Sequence, residues 1–67
     1  MWLKLNEIHG GPLLINMDRV ERITKETGGK AKLWFSADNA DTLNVQEYFE
    51  EVQGALENVH RIFEAAR

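Results

Sequence analysis

The chain contains no cysteine, and this absence limits both its stability and its chemistry. Disulfides, thiolate metal sites and a cysteine nucleophile are all excluded. A domain of only 67 residues buries about 60% of the surface that its unfolded chain exposes, so its stability is marginal. Small domains usually gain stability from disulfides, a metal or association. We therefore expect this domain to associate with itself and with another protein.

Long apolar runs and a basic leader are also missing. The longest apolar runs, such as Leu13-Leu14-Ile15, have three residues, far fewer than the roughly 20 that a membrane-spanning helix needs. The N-terminal segment has no basic region followed by an apolar core, so we do not expect a signal peptide. The sequence therefore predicts a cytoplasmic protein without membrane insertion.

Few side chains suit catalysis or metal binding. Ser36 is the only serine, and no glycine pattern of a nucleophile elbow surrounds it. Gly10-Gly11 and Gly28-Gly29 lack the spacing of phosphate-binding loops. Glu57 and His60 have the i, i+3 spacing of carboxylate metal sites, but one such pair on a helix is more often surface decoration. We therefore predict no enzymatic activity, no metal and no cofactor.

Short apolar segments separated by turn residues are what the sequence does contain. Leu3 and Leu5 alternate with Lys4 and Asn6, as in a strand with one buried face. Glycine, proline, asparagine and aspartate mark the turns between such segments. The pattern predicts strands at about 2–8, 12–16, 20–24, 31–36 and 41–46.

A long apolar stripe near the C-terminus predicts a helix over about 47–66. Such a helix would be about 28 Å long, whereas short strands span roughly 17–20 Å, so its end would overhang the sheet. We expect the stripe to form a self-association interface. Its members are Phe49, Val52, Leu56, Val59, Ile62 and Phe63. Gly54 is unfavourable inside a helix and suggests that a neighbouring element packs closely there.

Together these elements predict a single α+β domain over residues 1–67. Its architecture would be a small antiparallel β-meander of four to five strands, covered by one long C-terminal helix. If Leu3, Leu5 and Leu33 face the core, Trp2 and Trp34 point outward and form an apolar contact surface on the sheet. The reverse arrangement, with both tryptophans in the core, is the alternative.

Charge is unevenly distributed along the chain. Six acids and no base occur over 38–57, whereas bases concentrate between 18 and 32. A basic patch beside Trp34 could hold phosphates and stack bases, although the net charge of −3 argues against nucleic acid as a partner. The residues of this patch would be Arg19, Arg22, Lys30 and Lys32.

Two parts of the sequence resemble the small FlbD/SwrD flagellar proteins. The first part comprises Leu3, Leu5, Ile8, Gly10, Ile15-Asn16, Asp18, Val20-Glu21 and Ile23. The second is Val45-Gln46-Glu47 followed by Phe49-Glu50-Glu51-Val52, where that family passes from its last strand into its helix. The resemblance implies a meander-plus-helix fold and a cytoplasmic, non-catalytic role in flagellar function. Met17 stands where the family usually has proline.

These observations favour a non-catalytic, homo-oligomeric assembly or adaptor module, with a flagellum-associated accessory role implied by the resemblance. One alternative is a nucleic-acid-binding regulator, whose binding would weaken steeply with salt. The other is a phage- or plasmid-borne protein that binds a small molecule between its subunits.

Overall fold

A computed structural model describes residues 1–35 and 41–62 of the chain. Five antiparallel strands and one helix confirm the predicted α+β fold. The strands are β1 (Trp2–Glu7), β2 (Gly11–Asn16), β3 (Arg22–Lys25), β4 (Lys30–Trp34) and β5 (Thr42–Tyr48). A 3-10 turn, Met17–Arg19, follows β2, and α1 spans Phe49–Glu57. The turn expected between the fourth and fifth predicted strands, at 37–41, lies outside the described residues except for Asp41.

The strand order is β2-β1-β5-β4-β3. Strands β3 to β5 form a continuous meander, and β5 then pairs with β1 of the N-terminal hairpin. Consecutive strands β2 and β3 therefore lie at opposite edges. A flat five-stranded sheet would separate these edges by about 19 Å, but the connecting segment reaches only about 16 Å because part of it is a 3-10 turn. The sheet must therefore curl.

Local sequence explains two of the connections between strands. The β3–β4 loop requires Gly28 and Gly29 at φ +89° and +92°, where side chains other than glycine are strained. At the 3-10 turn, the Asn16 side chain accepts a hydrogen bond from the Asp18 N–H at 3.1 Å. This is the local bonding by which asparagine favours corners, so the predicted corner at 16–18 is confirmed.

The core lies between the inner face of the sheet and α1. Because side chains alternate between the two faces of a strand, every second residue points to this inner face, and these residues are mostly apolar. The helix α1 packs onto the same face at β3, β4 and β5. The buried residues are Leu5, Ile15, Met17, Ala31, Leu33, Val45 and Val52. Because Leu5 and Leu33 are inward, Trp2 and Trp34 belong to the outer face, as one of the two predicted arrangements requires.

The helix is much shorter than predicted. It ends at Glu57, residues 58–62 are turn or irregular, and 63–67 lie outside the described residues. At about 13 Å it does not exceed the strands, so the argument from an overhanging helix is wrong. Val59 and Ile62 are 61% and 42% exposed, and apolar spacing without a surface to pack on does not maintain a helix in water.

The start of α1 is well fixed, which contrasts with its end. The Glu51 carboxylate accepts a hydrogen bond from the Tyr48 N–H at 2.9 Å, and the Phe49 N–H donates to the Gly29 carbonyl at 2.9 Å. At Gly54, an added Cβ would meet nothing within 4 Å. The close packing expected there is therefore absent, and the glycine weakens the helix near its end.

The junction between β1 and β5 is narrow, because their pairing is confined to Glu7 opposite Val45. Next to this pair, the Glu47 carboxylate bridges the strands. Its Oε1 accepts from the Asn6 N–H at 3.0 Å and its Oε2 from Asn6 Nδ2 at 2.7 Å. We call this pair of hydrogen bonds the Asn6–Glu47 clasp. It joins the β1–β2 hairpin to the β3–β5 meander where the backbone ladder is short.

Candidate functional site

The outer face of β3–β5 brings cations and aromatic rings together. Arg22 lies opposite Trp34, Lys32 lies two residues before Trp34 on the same strand, and Lys30 lies opposite Tyr48. We call these five residues the basic–aromatic face. The other positions that the strand registers place on this face are Thr24, Thr42 and Asn44. None of the eight side chains at these described positions is acidic.

Trp34 is the centre of the basic–aromatic face. The Arg22 guanidinium carbon lies 4.1 Å from the ring centroid and Lys32 Nζ lies 4.6 Å from it, within the range of cation–π attraction. The ring's Nε1 donates to Thr24 Oγ1 at 2.8 Å, and Thr24 Oγ1 donates in turn to Glu26 Oε2 at 2.9 Å. These contacts fix the orientation of the half-buried ring.

Tyr48 provides a second ring at the other end of β4. Its residue is 49% exposed, and Lys30 Nζ lies 5.9 Å from its ring centroid. Lys30 and Trp34 are four residues apart on one strand, which separates the two rings by about 13 Å. The face therefore has one aromatic ring with a nearby cation at each end.

Two predicted groupings are only partly assembled. Of the predicted basic patch, Arg22, Lys30 and Lys32 share the basic–aromatic face, but Arg19 lies on the 3-10 turn outside the sheet. Trp2 and Trp34 do not form one contact surface. Trp34 is level with the end of β5 that adjoins the β1–β2 turn, whereas Trp2 begins β1 at the opposite end of the sheet.

A second candidate surface is the outer edge of β2. The Met17 N–H donates to the Met1 carbonyl at 2.9 Å, directly opposite in the β1–β2 register. In an antiparallel ladder, the backbone N–H and C=O groups of successive residues point alternately toward and away from the partner strand. The backbone groups of Gly11, Leu13 and Ile15 therefore point toward β1, and those of the residues between them point away. The outward backbone groups belong to Pro12, Leu14 and Asn16, and we call these three residues the β2 edge. Pro12 lacks an N–H at a position where none is used by the sheet.

The β3 strand forms the other edge of the sheet and is built differently. It has four residues, of which Arg22 and Lys25 are charged. Lys25 Nζ also binds Glu50 Oε2 on α1 at 2.7 Å. Short length and charge are the features that discourage an edge from pairing with another strand. The six residues of β2 include no charged side chain, and Leu14 is 67% exposed.

The predicted helix interface divides between core and surface. Val52 is buried, and Leu56 packs against the core, so both stabilise the monomer. Phe49 is half-buried, Val59 and Ile62 are exposed, and Phe63 lies outside the described residues. The five of these residues that the structure describes therefore do not present one continuous stripe for a second subunit.

An apolar groove of about 310 Å³ runs between α1 and β3. Within the described residues, a small apolar ligand would fit in this groove. Six of its ten lining residues are apolar and four are polar or charged. The lining residues are Met17, Val20, Glu21, Arg22, Ile23, Phe49, Gln53, Leu56, His60 and Ile62.

Two carboxyl groups have perturbed acidities. Burial would raise the pKa of Glu47, but hydrogen bonds from the Asn6 N–H and side chain, assisted by the charge of Lys30, outweigh burial and lower that pKa. The hydrogen bond from Lys25 lowers the pKa of the exposed Glu50. Both carboxylates are thus held ionised by partners that belong to the fold.

Residues 1–35 and 41–62 contain no group of three or more histidine, aspartate or glutamate side chains placed to hold a metal. Nor does any helix within these ranges combine the length and apolar character needed to cross a membrane. In comparisons with known proteins, no family model, curated protein or solved structure matches the chain. The resemblance to the FlbD/SwrD proteins therefore stays a prediction.

Sequence reasoning missed Leu14, Tyr48 and Glu47 as residues of interest. Leu14 lies in one of the longest apolar runs, which suggests burial, and only the β1–β2 register shows that it faces outward at an edge. Tyr48 was assigned to the helix, but it ends β5. Proline at position 12 was the available signal for an edge strand, because proline is confined to edges and bulges within sheets.

Proposed function

We propose that this chain is a non-catalytic assembly module that pairs with a second copy of itself through the β2 edge. The observation that supports this proposal most directly is the pattern of outward backbone groups on β2. Leu14 offers both an N–H and a carbonyl, Asn16 offers an N–H, and Pro12 offers a carbonyl alone. This pattern is complementary to itself when the strand is turned by a two-fold rotation.

The pairing is centred on Leu14. In an antiparallel arrangement about a two-fold axis, each Leu14 donates to and accepts from the Leu14 backbone of the second copy. The Asn16 N–H of each copy then reaches the Pro12 carbonyl of the other, where a donor from proline is neither available nor needed. The two five-stranded sheets become continuous.

Side chains on the outer face support the same pairing. Trp2 and Leu14 are 64% and 67% exposed, and they are diagonal neighbours across the β1–β2 register, within reach of one another. The two-fold rotation would bring these apolar side chains from both copies onto one side of the joined sheet. Association would thereby remove apolar surface from water. A domain of this size buries only a limited fraction of its surface when it folds alone.

The role would be structural, as for a subunit or adaptor whose assembled form presents its surfaces to a further protein. The resemblance to small, non-catalytic flagellar proteins supports this class of role and makes a flagellum-associated accessory function the first setting to test. The groove beside α1 supports a small-molecule role less well, since its volume of about 310 Å³ is at the lower end of the range for ligand pockets.

The test compares Leu14→Lys with Val59→Lys, two substitutions that place the same charge at similarly exposed apolar positions. Leu14→Lys should raise the dimer dissociation constant at least tenfold, about 1.4 kcal/mol, because like charges would face each other at the centre of the pairing. Val59→Lys should leave the dimer intact. Sedimentation velocity over a range of protein concentrations measures both.

A monomeric wild-type chain throughout the concentration range would overturn the proposal. So would a dimer that Val59→Lys disrupts and Leu14→Lys does not, because the interface would then involve the exposed C-terminal side of α1. Circular dichroism of both variants confirms that the monomer remains folded, as expected for substitutions at exposed positions.

A further inference from the structure

The outer face of β3–β5 has a local charge opposite to that of the whole chain. The net charge is −3, yet Arg22, Lys30 and Lys32 meet on one face whose other described positions are aromatic or neutral. Two acids lie at the margin of this face, since Glu26 Oε2 accepts from Thr24 Oγ1 and the charge of Lys30 acts on Glu47, whereas Glu50 and Glu51 lie on α1. The three cations outnumber these two acids on one surface of an acidic protein.

The rings on this face add a second requirement for the partner. Trp34 and Tyr48 are aromatic rings on a sheet with cations over them, Arg22 and Lys32 over Trp34 and Lys30 over Tyr48. A base at Trp34 therefore stacks on the Arg22 guanidinium or displaces a cation from the ring. An aromatic ring can stack on any base, and a guanidinium plane such as that of Arg22 can stack on one too. Each base of a nucleic acid comes with a phosphate. Rings that stack on bases and cations that bind phosphates therefore match a nucleic-acid strand better than an acidic peptide.

From this arrangement we infer that the basic–aromatic face binds single-stranded nucleic acid. Bases that are paired in a duplex are stacked on one another and are not available to the rings. The two rings lie about 13 Å apart, several times the 3.4 Å step between stacked bases. A strand bound across the face is therefore drawn out of its own stack, with bases on Trp34 and Tyr48 and phosphates between them.

Neutral side chains complete the surface. Thr42 and Asn44 on β5 lie opposite Trp34 and Lys32 on this face. Hydroxyl and amide groups can hydrogen-bond base edges or sugars, but their number is too small to read a long sequence. The face therefore suits a short segment of a few nucleotides, with little sequence preference.

The inference is independent of pairing at the β2 edge, because it involves different strands. The Leu14→Lys variant should therefore bind nucleic acid as a monomer. Its affinity should be lower than that of the wild-type dimer if one nucleic-acid strand contacts the basic–aromatic faces of both subunits. A failure of one proposal is distinguishable from a failure of the other, since dimerisation and binding are measured separately.

The experiment is a fluorescence anisotropy titration of a labelled oligodeoxythymidine with the full chain at low salt. We expect binding that weakens with a slope of log K against log salt of about −2, because each of three phosphates contributes about −0.7 on a single strand. Trp34→Leu should weaken binding about tenfold through loss of stacking. Trp2→Leu, the same change at the other end of the sheet, should have no effect.

Lys32→Gln provides a variant that does not depend on the half-buried ring. It should weaken binding and make the salt slope shallower by about 0.7, whereas Lys4→Gln on β1 should change neither. If Trp34→Leu fails to fold, this pair of lysine variants decides the question.

Several results would overturn the inference. One is no binding of the oligonucleotide at low salt, and another is equal loss of binding in Trp2→Leu and Trp34→Leu or in the two lysine variants. Equal affinity for a duplex of the same length would show that the rings do not stack on bases. Displacement of the oligonucleotide by polyglutamate at the same charge concentration would assign the face to an acidic protein partner.

Discussion

The two halves of the sheet differ in how each is covered and in what each leaves exposed. The β3–β5 meander is backed by α1 on its inner face, has a short, charged edge at β3, and displays cations and rings on its outer face. The β1–β2 hairpin has an uncharged edge with exposed Leu14 and Trp2. The half that the helix stabilises can expose polar surface, whereas the hairpin leaves apolar surface for another chain to cover.

The largest expected effect on stability comes from truncating one leucine in each half of the sheet. Leu33 in β4 is fully buried and Leu14 in β2 is exposed. Leu33→Ala should lower the free energy of unfolding by about 2–5 kcal/mol because it leaves a cavity, and Leu14→Ala should lower that of the monomer by less than about 0.5 kcal/mol. Urea unfolding followed by circular dichroism, at concentrations where the chain is monomeric, measures both. Similar losses for the two variants would show that the halves are equally packed.

The Asn6–Glu47 clasp is the place to sharpen the comparison, since it joins the two halves. The pKa of Glu47 is lower in the folded state than its usual value. Its contribution to stability is therefore present above about pH 4.5 and is lost as the pH falls through the folded-state pKa. At neutral pH, Glu47→Gln should cost about 1 kcal/mol, and the difference from wild type should shrink as the pH falls below about 4.5.

The control for the clasp is Glu50→Gln. The pKa of Glu50 is also lowered, by Lys25, but this ion pair is exposed and screened by salt. In high salt, the acid-dependent difference between wild type and Glu47→Gln should persist, whereas that between wild type and Glu50→Gln should disappear. A pH profile of stability unaffected by Glu47→Gln would mean that the clasp does not hold the halves together.

The smallest expected effect is at the end of α1. Gly54 lies in the helix with open space around its α-carbon, so Gly54→Ala should raise the free energy of unfolding by up to about 1 kcal/mol. The gain should stabilise the β3–β5 half, on which α1 packs. Thermal unfolding measures it, with Gly29→Ala as a control. Gly29 has a φ of +92°, and the substitution there should be destabilising.

Local patterns predicted most of the elements but not their assembly. The alternation of Leu3 and Leu5 and the glycines of the β3–β4 loop are signals within a few residues, and the strands and turns they predict are present. The end of α1 depends on whether the sheet extends beneath Val59, which apolar spacing cannot reveal. The pairing of β5 with β1 joins segments far apart in sequence.

The candidate surfaces follow from that assembly. The sequence predicts Arg22 and Lys32 in one basic patch beside Trp34, and the β3–β4 register places these three residues on one face. Trp2 and Trp34 were expected in one patch because alternation gives the face of a strand and not the position along it. Leu14 could be recognised as exposed only once β2 was known to be an edge.

The narrow β1–β5 junction also bears on how the chain folds. On each side of it, contacts join segments that are near in sequence, which form quickly because little loop-closure entropy is lost. The junction itself joins Glu7 to Val45 and must wait for the intervening chain to be ordered. The hairpin and the meander with its helix share one buried core, but they are joined by little backbone pairing, so local opening would begin at the seam between them. Transient opening along that seam would release the hairpin, together with its unpaired edge, from the rest of the domain.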